Sequence, residues 1–111
     1  MLRQNEFYTA TEDGVKYDIY PAFLYIATHP TAGDLIVGTG GARKIRWSSS
    51  QHEGKRGGAR VIYYYYDRSI PVFLFTAYGK NEKANLTQAE CSALKVIIKQ
   101  IVSIYKGDKN E

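Results

Sequence analysis

The chain has 111 residues, of which 44% are hydrophobic and 23% are charged, and its net charge is +4 at pH 7. These values argue against general disorder and predict one domain, spanning residues 1–111, with an apolar core. The only cysteine, Cys91, excludes an internal disulfide framework and a cysteine-based zinc cage, so we expect it to be a small buried hydrophobe.

The distribution of apolar residues also indicates in which cellular compartment the protein resides. The N-terminal residues include no apolar segment of signal-peptide length, and no stretch reaches 18 consecutive apolar residues. We therefore expect a soluble cytoplasmic protein that does not bind a membrane.

A helix is predicted in the first third of the chain. Residues 1–16 are polar and indicate no firm element, whereas residues 18–28 have helical length, with Asp18 as a possible N-cap and Pro21 in the first turn. Because apolar residues cover most of this helix surface, a buried extended run is the alternative. Either element ends at His29 and Pro30.

Three strands are predicted next. After the glycine-rich turn at residues 38–41, residues 42–47 alternate so that Ile45 and Trp47 face the core while Lys44 and Arg46 face outward. Residues 48–58 have the composition of a hairpin loop. Two further strands are predicted at residues 60–66 and 72–78, joined by a turn at 67–71.

The C-terminal third predicts a second helix. Thr87 and Glu90 fit a capping box, and apolar residues recur at helical spacing from Leu94 to about Tyr105, with Gly107 beyond. The predicted fold class is therefore α+β, a three-stranded antiparallel meander with helices on one face and a cationic face left open.

Positive charge is concentrated in residues 38–66, which contain six lysines and arginines and one carboxylate, Glu53. Such crowding requires solvent or an anionic partner, and a solvated hairpin is the simpler interpretation. Four tyrosines, 63 to 66, follow the cations. Cations and aromatic rings on one sheet suit single-stranded nucleic acid, although these rings could equally be core residues.

The residue types restrict the chemistry. His29 and His52 are the only histidines and no acidic cluster accompanies either, so neither a metal site nor a nucleophilic triad is predicted. The segment GTGGARK lacks the spacing of a phosphate-binding loop. RNA carries its own nucleophile, the 2′-hydroxyl, and lysine and arginine can assist its attack on phosphorus without metal or cofactor.

The segments GTGGARKIRW, GKRGGARVIYYYY and FTAYGKNEKANLT resemble, in the same order and spacing, the RelE/HigB family of toxin–antitoxin ribonucleases. The resemblance is strongest over residues 30–90. It implies a RelE-like fold and an endoribonuclease that cleaves messenger RNA on the ribosome. It also implies contacts with ribosomal RNA and a protein antitoxin, expected to be a helix-turn-helix protein encoded nearby.

The resemblance also implies roles for individual residues. Arg46 and Arg60 would bind the scissile phosphate, Lys55 or Lys80 would transfer protons, and Lys44 would steer the RNA. Further RNA contacts are expected from Arg43, Arg56, Tyr64 and Tyr78. His52, at the tip of the predicted loop, is a less favoured candidate for the general base.

Two other functions stay open. One is a catalytically silent relative that keeps the basic face to bind RNA or an antitoxin. The other is a host-factor domain with a specialised function that is not toxic.

Overall fold

The computed structural model describes residues 20–47, 59–79 and 85–107. Its elements are, in chain order, α1 (Tyr20–Thr28), β1 (Asp34–Leu35), β2 (Ala42–Trp47), β3 (Ala59–Tyr64), β4 (Phe73–Gly79) and α2 (Gln88–Lys106). The strands form one antiparallel sheet in the order β1-β2-β3-β4. The α+β class and the meander are confirmed, and β1 adds a two-residue edge strand that the sequence did not reveal.

The sheet carries a helix on each face. Ile26 of α1 packs in one apolar cluster with Tyr63, whereas Ile98 of α2 packs in a second cluster with Tyr64. Because consecutive strand residues point to opposite faces, the two clusters lie on opposite sides of β3. The prediction that both helices share one face is therefore wrong. The physical reason is that β3 presents buried apolar residues to both faces from Val61 to Tyr64, as strands of a doubly covered sheet do.

A short turn built around a buried threonine joins β1 to β2. Thr39 is fully buried, and its hydroxyl donates to the carbonyl of Ile36 at 2.7 Å and accepts from the amide of Ala42 at 2.9 Å. Gly41 follows with φ of +129°, and a Cβ there would lie 3.1 Å from the ring of Tyr64. Glycine is favoured at this position because L side chains rarely adopt this φ, and a Cβ would also require the Tyr64 ring to shift by a few tenths of an ångström.

The loop between α1 and β1 is fastened to the sheet by Tyr63. The buried Tyr63 hydroxyl accepts from the amide of Gly33 at 2.9 Å and donates to the carbonyl of Pro30 at 2.7 Å. Burial raises the pKa of this phenol, while the bond from Gly33 and the charge of Arg43 act in the opposite direction. The hydroxyl thus stays neutral and can serve as donor and acceptor together.

Both ends of α2 are fixed by side chains. At its start the predicted capping box is confirmed, since the Thr87 hydroxyl accepts from the amide of Glu90 and the Glu90 carboxylate accepts from the amide of Thr87. At its end, Lys106 donates to the Ser69 hydroxyl at 2.9 Å and lies 3.6 Å from the Asp67 carboxylate. Hydrogen bonds from Ser69, with the charge of Lys106, lower the pKa of Asp67.

The structure also bears on the predictions made for single residues and for the loop at 48–58. Trp47 packs against the α1 cluster as expected, whereas Cys91 is only half-buried, near the turn before β2. The proposed cap at Asp18 and the loop at 48–58 lie outside the described residues. Within the described part, no helix has both the length and the hydropathy needed to cross a membrane.

Replacing Tyr63 by phenylalanine is expected to lower the free energy of unfolding by about 1–3 kcal/mol, because the buried amide of Gly33 loses its acceptor. Urea denaturation measures the change. Tyr65→Phe is the matched control, since Tyr65 is half-buried and its hydroxyl has no hydrogen bond within the described residues. Equal losses in the two variants would contradict a structural role for the Tyr63 hydroxyl.

Candidate nucleic-acid interface

The register of the sheet aligns two arginines and a tyrosine across three strands. Arg46 of β2 lies directly opposite Arg60 of β3, and Arg60 lies opposite Tyr78 of β4. Directly opposed residues have their Cβ atoms about 4.5–5.5 Å apart, and like charges in such a pair repel each other. We call these three residues the arginine row.

No described carboxylate compensates the two charges of the arginine row. Arg46 is exposed and Arg60 is half-buried, and neither forms an ion pair or a hydrogen bond with a described carboxylate. Within the described residues the buried Nη1 of Arg60 has no hydrogen-bond partner. A buried donor without an acceptor costs about 1–3 kcal/mol. Because this atom is closed to solvent, an anion would approach the row from the side of the exposed Arg46.

Lys44 lies on the same face of β2 as Arg46, two residues before it. It is opposite Ile62 of β3, and its ammonium donates to the side-chain oxygen of Asn85 at 3.1 Å. Asn85 lies three residues before the first residue of α2, so this bond connects β2 to the segment that leads into the helix. Sequence reasoning missed Asn85, and no local signal could have revealed it because 41 residues separate it from Lys44.

The tyrosines of this face are buried. Tyr64 and Tyr78 are each 5% exposed and belong to the cluster beneath α2. Burial is the main cause that raises the pKa of Tyr64. The ring of Tyr64 thus has no open face for a base, and we assign it no stacking role. Tyr78 supports the arginine row from β4.

Arg43 lies on the opposite face from the arginine row. Its cross-strand neighbour is Tyr63, and its guanidinium donates to the carbonyl of Gly33 at 2.7 Å and to that of Thr31 at 3.2 Å. These bonds fix the loop that follows α1. Arg43 is a structural residue in this arrangement, and we assign it no RNA contact.

The remaining predicted site residues cannot be placed. Lys55, Arg56, Lys80 and His52 lie outside the described residues, so their roles stay predictions. Among the residues that are described, no three His, Cys, Asp or Glu side chains group in a way that could hold a metal ion.

A family model described as the RelE toxin of the RelE/RelB toxin–antitoxin system matches residues 32–109, well over half of the chain. The chain belongs to the RelE toxin family. The match spans all four strands and α2, and therefore includes the arginine row. RelE toxins are generally ribonucleases that cleave messenger RNA, and the family implies a RelB-type antitoxin as partner.

Replacing Arg46 by glutamine is expected to raise the free energy of unfolding by about 0.2–1 kcal/mol at low ionic strength, because it removes one of two opposed like charges. Urea denaturation measures the gain. Added salt should reduce it, since salt screens exposed charges.

Arg68→Gln is the matched control for this prediction. Arg68 is also an exposed arginine, but it lies in the turn between β3 and β4, away from the row. The repulsion account is contradicted if Arg46→Gln lowers stability, or if its gain equals that of the control.

Proposed function

We propose that the chain is a metal-independent endoribonuclease toxin that cleaves messenger RNA on the ribosome and thereby inhibits translation. The substrate is a phosphodiester of single-stranded RNA, and the nucleophile is the adjacent 2′-hydroxyl. We also propose that residues 1–111 form one toxin domain, acting in the cytoplasm under the control of a helix-turn-helix antitoxin.

The observation that carries the proposal is the arginine row. Arg46 and Arg60 are opposed without a described counter-charge, and Arg46 is exposed. A scissile phosphate bound at the two arginines would offset their repulsion and accept charge-assisted hydrogen bonds. The charge that this phosphate gains in the transition state makes the same contacts stronger at that point than in the ground state.

The proposed reaction has one displacement at phosphorus. The 2′-oxygen forms a bond to phosphorus and loses its proton to a base, while the bond from phosphorus to the 5′-oxygen breaks and that oxygen gains a proton from an acid. The products are a 2′,3′-cyclic phosphate and a 5′-hydroxyl. Arg46 and Arg60 would stabilise the extra negative charge on the phosphoryl oxygens, and they take no part in proton transfer because guanidinium stays protonated.

Lys55 and Lys80 are our candidates for the base and the acid. Neighbouring cations disfavour a further positive charge, so a lysine among arginines becomes a better base than an isolated one. Lys44, two residues before Arg46 on the same face of β2, would hold the RNA backbone, with Asn85 fixing the position of its ammonium. Arg56 is proposed as a further phosphate contact.

A second candidate function is RNA binding without catalysis. The observation in its favour is that the described part of the interface contains arginines, a lysine and a tyrosine but no histidine or carboxylate to exchange protons near neutral pH. In this alternative the chain keeps the basic face and blocks translation, or binds an antitoxin, without cutting the message.

The proposed roles of Arg60 and Lys44 are separable by mutation. Arg60→Ala should lower the single-turnover rate of messenger RNA cleavage about 100-fold, because it removes a donor to the transition-state oxygens. Lys44→Ala should leave that rate within about threefold and reduce the slope of log affinity against log salt by about 0.7, the value for one phosphate contact. Cleavage on programmed ribosomes, followed over a range of protein concentrations, separates binding from rate.

Arg68→Ala is the control, and it should change neither quantity. Equal losses of binding in Arg60→Ala and Lys44→Ala, with unchanged single-turnover rates, would show that the division of roles is wrong. If the wild-type protein binds ribosomes and leaves the message intact, the silent RNA-binding function replaces the enzyme.

A further inference from the structure

The side chains of Lys44 and Asn85 meet on the face of β2 that carries Arg46. The Lys44 ammonium lies 3.1 Å from Oδ1 of Asn85, and the Asn85 side chain is exposed while Lys44 is half-buried. One partner belongs to β2 and the other to the segment that leads into α2, so the fold and not the local sequence brings them together. We call these two residues the Lys44–Asn85 pair.

The charge of Lys44 determines which way the amide of Asn85 points. An ammonium only donates, so the atom of Asn85 that faces it is the carbonyl oxygen, and the amide nitrogen with its two N–H groups points away from Lys44. No described residue accepts from these N–H groups. The bond uses only one of the three donors of the ammonium. The pair therefore offers N–H donors from both members, side by side.

A carboxylate close to the pair does not engage it. Asp34 of β1 is the cross-strand neighbour of Lys44, and directly opposed residues have Cβ atoms about 4.5–5.5 Å apart. Within the described residues Asp34 forms no ion pair with Lys44, whose ammonium donates to Asn85 instead. The ammonium is therefore directed toward the segment before α2 and not toward the edge strand.

The pair lies close to the proposed phosphate site. Lys44 and Arg46 are two residues apart on one face of β2, which at about 3.3 Å per residue is about 6.6 Å. This distance is comparable with the spacing of consecutive nucleotides in an extended RNA strand. A strand whose scissile phosphate is bound at Arg46 and Arg60 would bring a neighbouring nucleotide to the pair. Its base edge is free to form hydrogen bonds because single-stranded RNA is unpaired.

Two adjacent donors distinguish the bases. The N7 and O6 atoms of guanine are neighbouring acceptors, whereas adenine presents N7 beside an amino group, cytosine presents an amino group and uracil a single acceptor. An asparagine with a free oxygen binds adenine, since the oxygen accepts from the amino group and the nitrogen donates to N7. The oxygen of Asn85 is turned to Lys44, so adenine would bring its amino group against the ammonium. Guanine is the base whose edge matches the pair.

We propose that the Lys44–Asn85 pair selects guanine in a nucleotide next to the scissile phosphate, by donating to its N7 and O6 atoms. This inference rests on the proposed RNA cleavage and adds a base preference to it, with Asn85 as a specificity-determining residue. The contact forms equally in the ground state and the transition state, so the preference appears in affinity and in kcat/KM and not in the saturating single-turnover rate. A remaining donor of Lys44 still reaches the RNA backbone.

The first test places two messages in competition on programmed ribosomes, one with guanine and one with adenine beside the cleaved bond. The ratio of their products gives the ratio of their kcat/KM values. Both neighbours of the cleaved bond are varied in turn, and at one of them the wild-type protein should prefer guanine about 10-fold, as expected for one two-donor contact to a base. Equal cleavage of guanine and adenine messages at both positions overturns the proposal.

Two substitutions separate base selection from a structural role. Asn85→Leu keeps the size of the side chain without its amide and should reduce the guanine preference to about twofold or less. Lys44→Met frees the oxygen of Asn85 and should turn the preference toward adenine, because the amide can then bind the amino group and N7 together. A guanine preference that stays at the wild-type value in both variants, with both messages cut equally less, would assign Asn85 a structural role only and overturn the proposal.

Gln88→Leu is the matched control. Gln88 is an exposed amide three residues after Asn85, and it has no bond to Lys44. This variant should keep the wild-type preference for guanine. A loss of preference equal to that of Asn85→Leu would contradict the assignment to Asn85.

The base 7-deazaguanine tests the same contact from the RNA side, because a carbon that cannot accept replaces N7. Short 2′-O-methyl uridine oligonucleotides, each with one guanine, 7-deazaguanine or adenine, are titrated with the full chain at constant salt. Relative to guanine, 7-deazaguanine should weaken binding to the wild-type protein about 5-fold, through the loss of one hydrogen bond. The double variant Lys44→Met with Asn85→Leu should lose nothing, and an equal loss in both proteins overturns the proposal.

Failure of the proposed function is a different result from failure of this inference. The first appears as intact messages with wild-type protein, whatever the base beside the bond. The second appears as cleavage, or as binding of the uncleavable oligonucleotides, that does not distinguish guanine from adenine. Because the oligonucleotide affinities need no cleavage, they decide the inference even where the chain binds RNA without cutting it.

Discussion

The antiparallel register between β2 and β3 is the constraint on which the rest of the structure depends. It pairs Arg46 with Arg60 and Ala42 with Tyr64, so one face of the same two strands is charged at one end and apolar at the other. A slip of one residue would exchange the faces and bury the charges. The register therefore holds Arg46 and Arg60 side by side despite their repulsion, and we propose this pair as the phosphate site.

The two helices follow from this register. α1 covers the face of Tyr63, where Arg43 and the Tyr63 hydroxyl fasten the loop before β1, and α2 covers the apolar end of the other face. α2 begins beside Lys44, through Asn85, and ends beside the turn before β4, through Lys106. Its path leaves Arg46 and Arg60 outside the apolar cluster that contains Tyr78, so Arg46 stays exposed beside a buried core.

The sequence predicted the features that depend on local chemistry. The capping box at Thr87 and the inward direction of Trp47 follow from spacing alone, and the structure confirms both. The position of the two helices on opposite faces of the sheet was predictable in principle. Val61 and Tyr63 point to one face of β3 and Ile62 and Tyr64 to the other, and all four are apolar. The contact of Asn85 was not predictable, since its bond to Lys44 depends on where the segment before α2 lies relative to β2. The burial of Tyr64 likewise depends on α2, so composition alone could not separate a stacking ring from a core ring.

The central claim is that Arg46 and Arg60 form one site for the phosphate of RNA. Its most direct measurement is the NMR chemical shift of the arginine guanidinium groups during titration with an RNA oligonucleotide that carries 2′-O-methyl groups throughout and cannot be cleaved by 2′-attack. The account predicts saturable shifts of the Arg60 and Arg46 signals, weakened by salt, with no change at Arg68. RNA that binds while the Arg60 signal stays constant would contradict it.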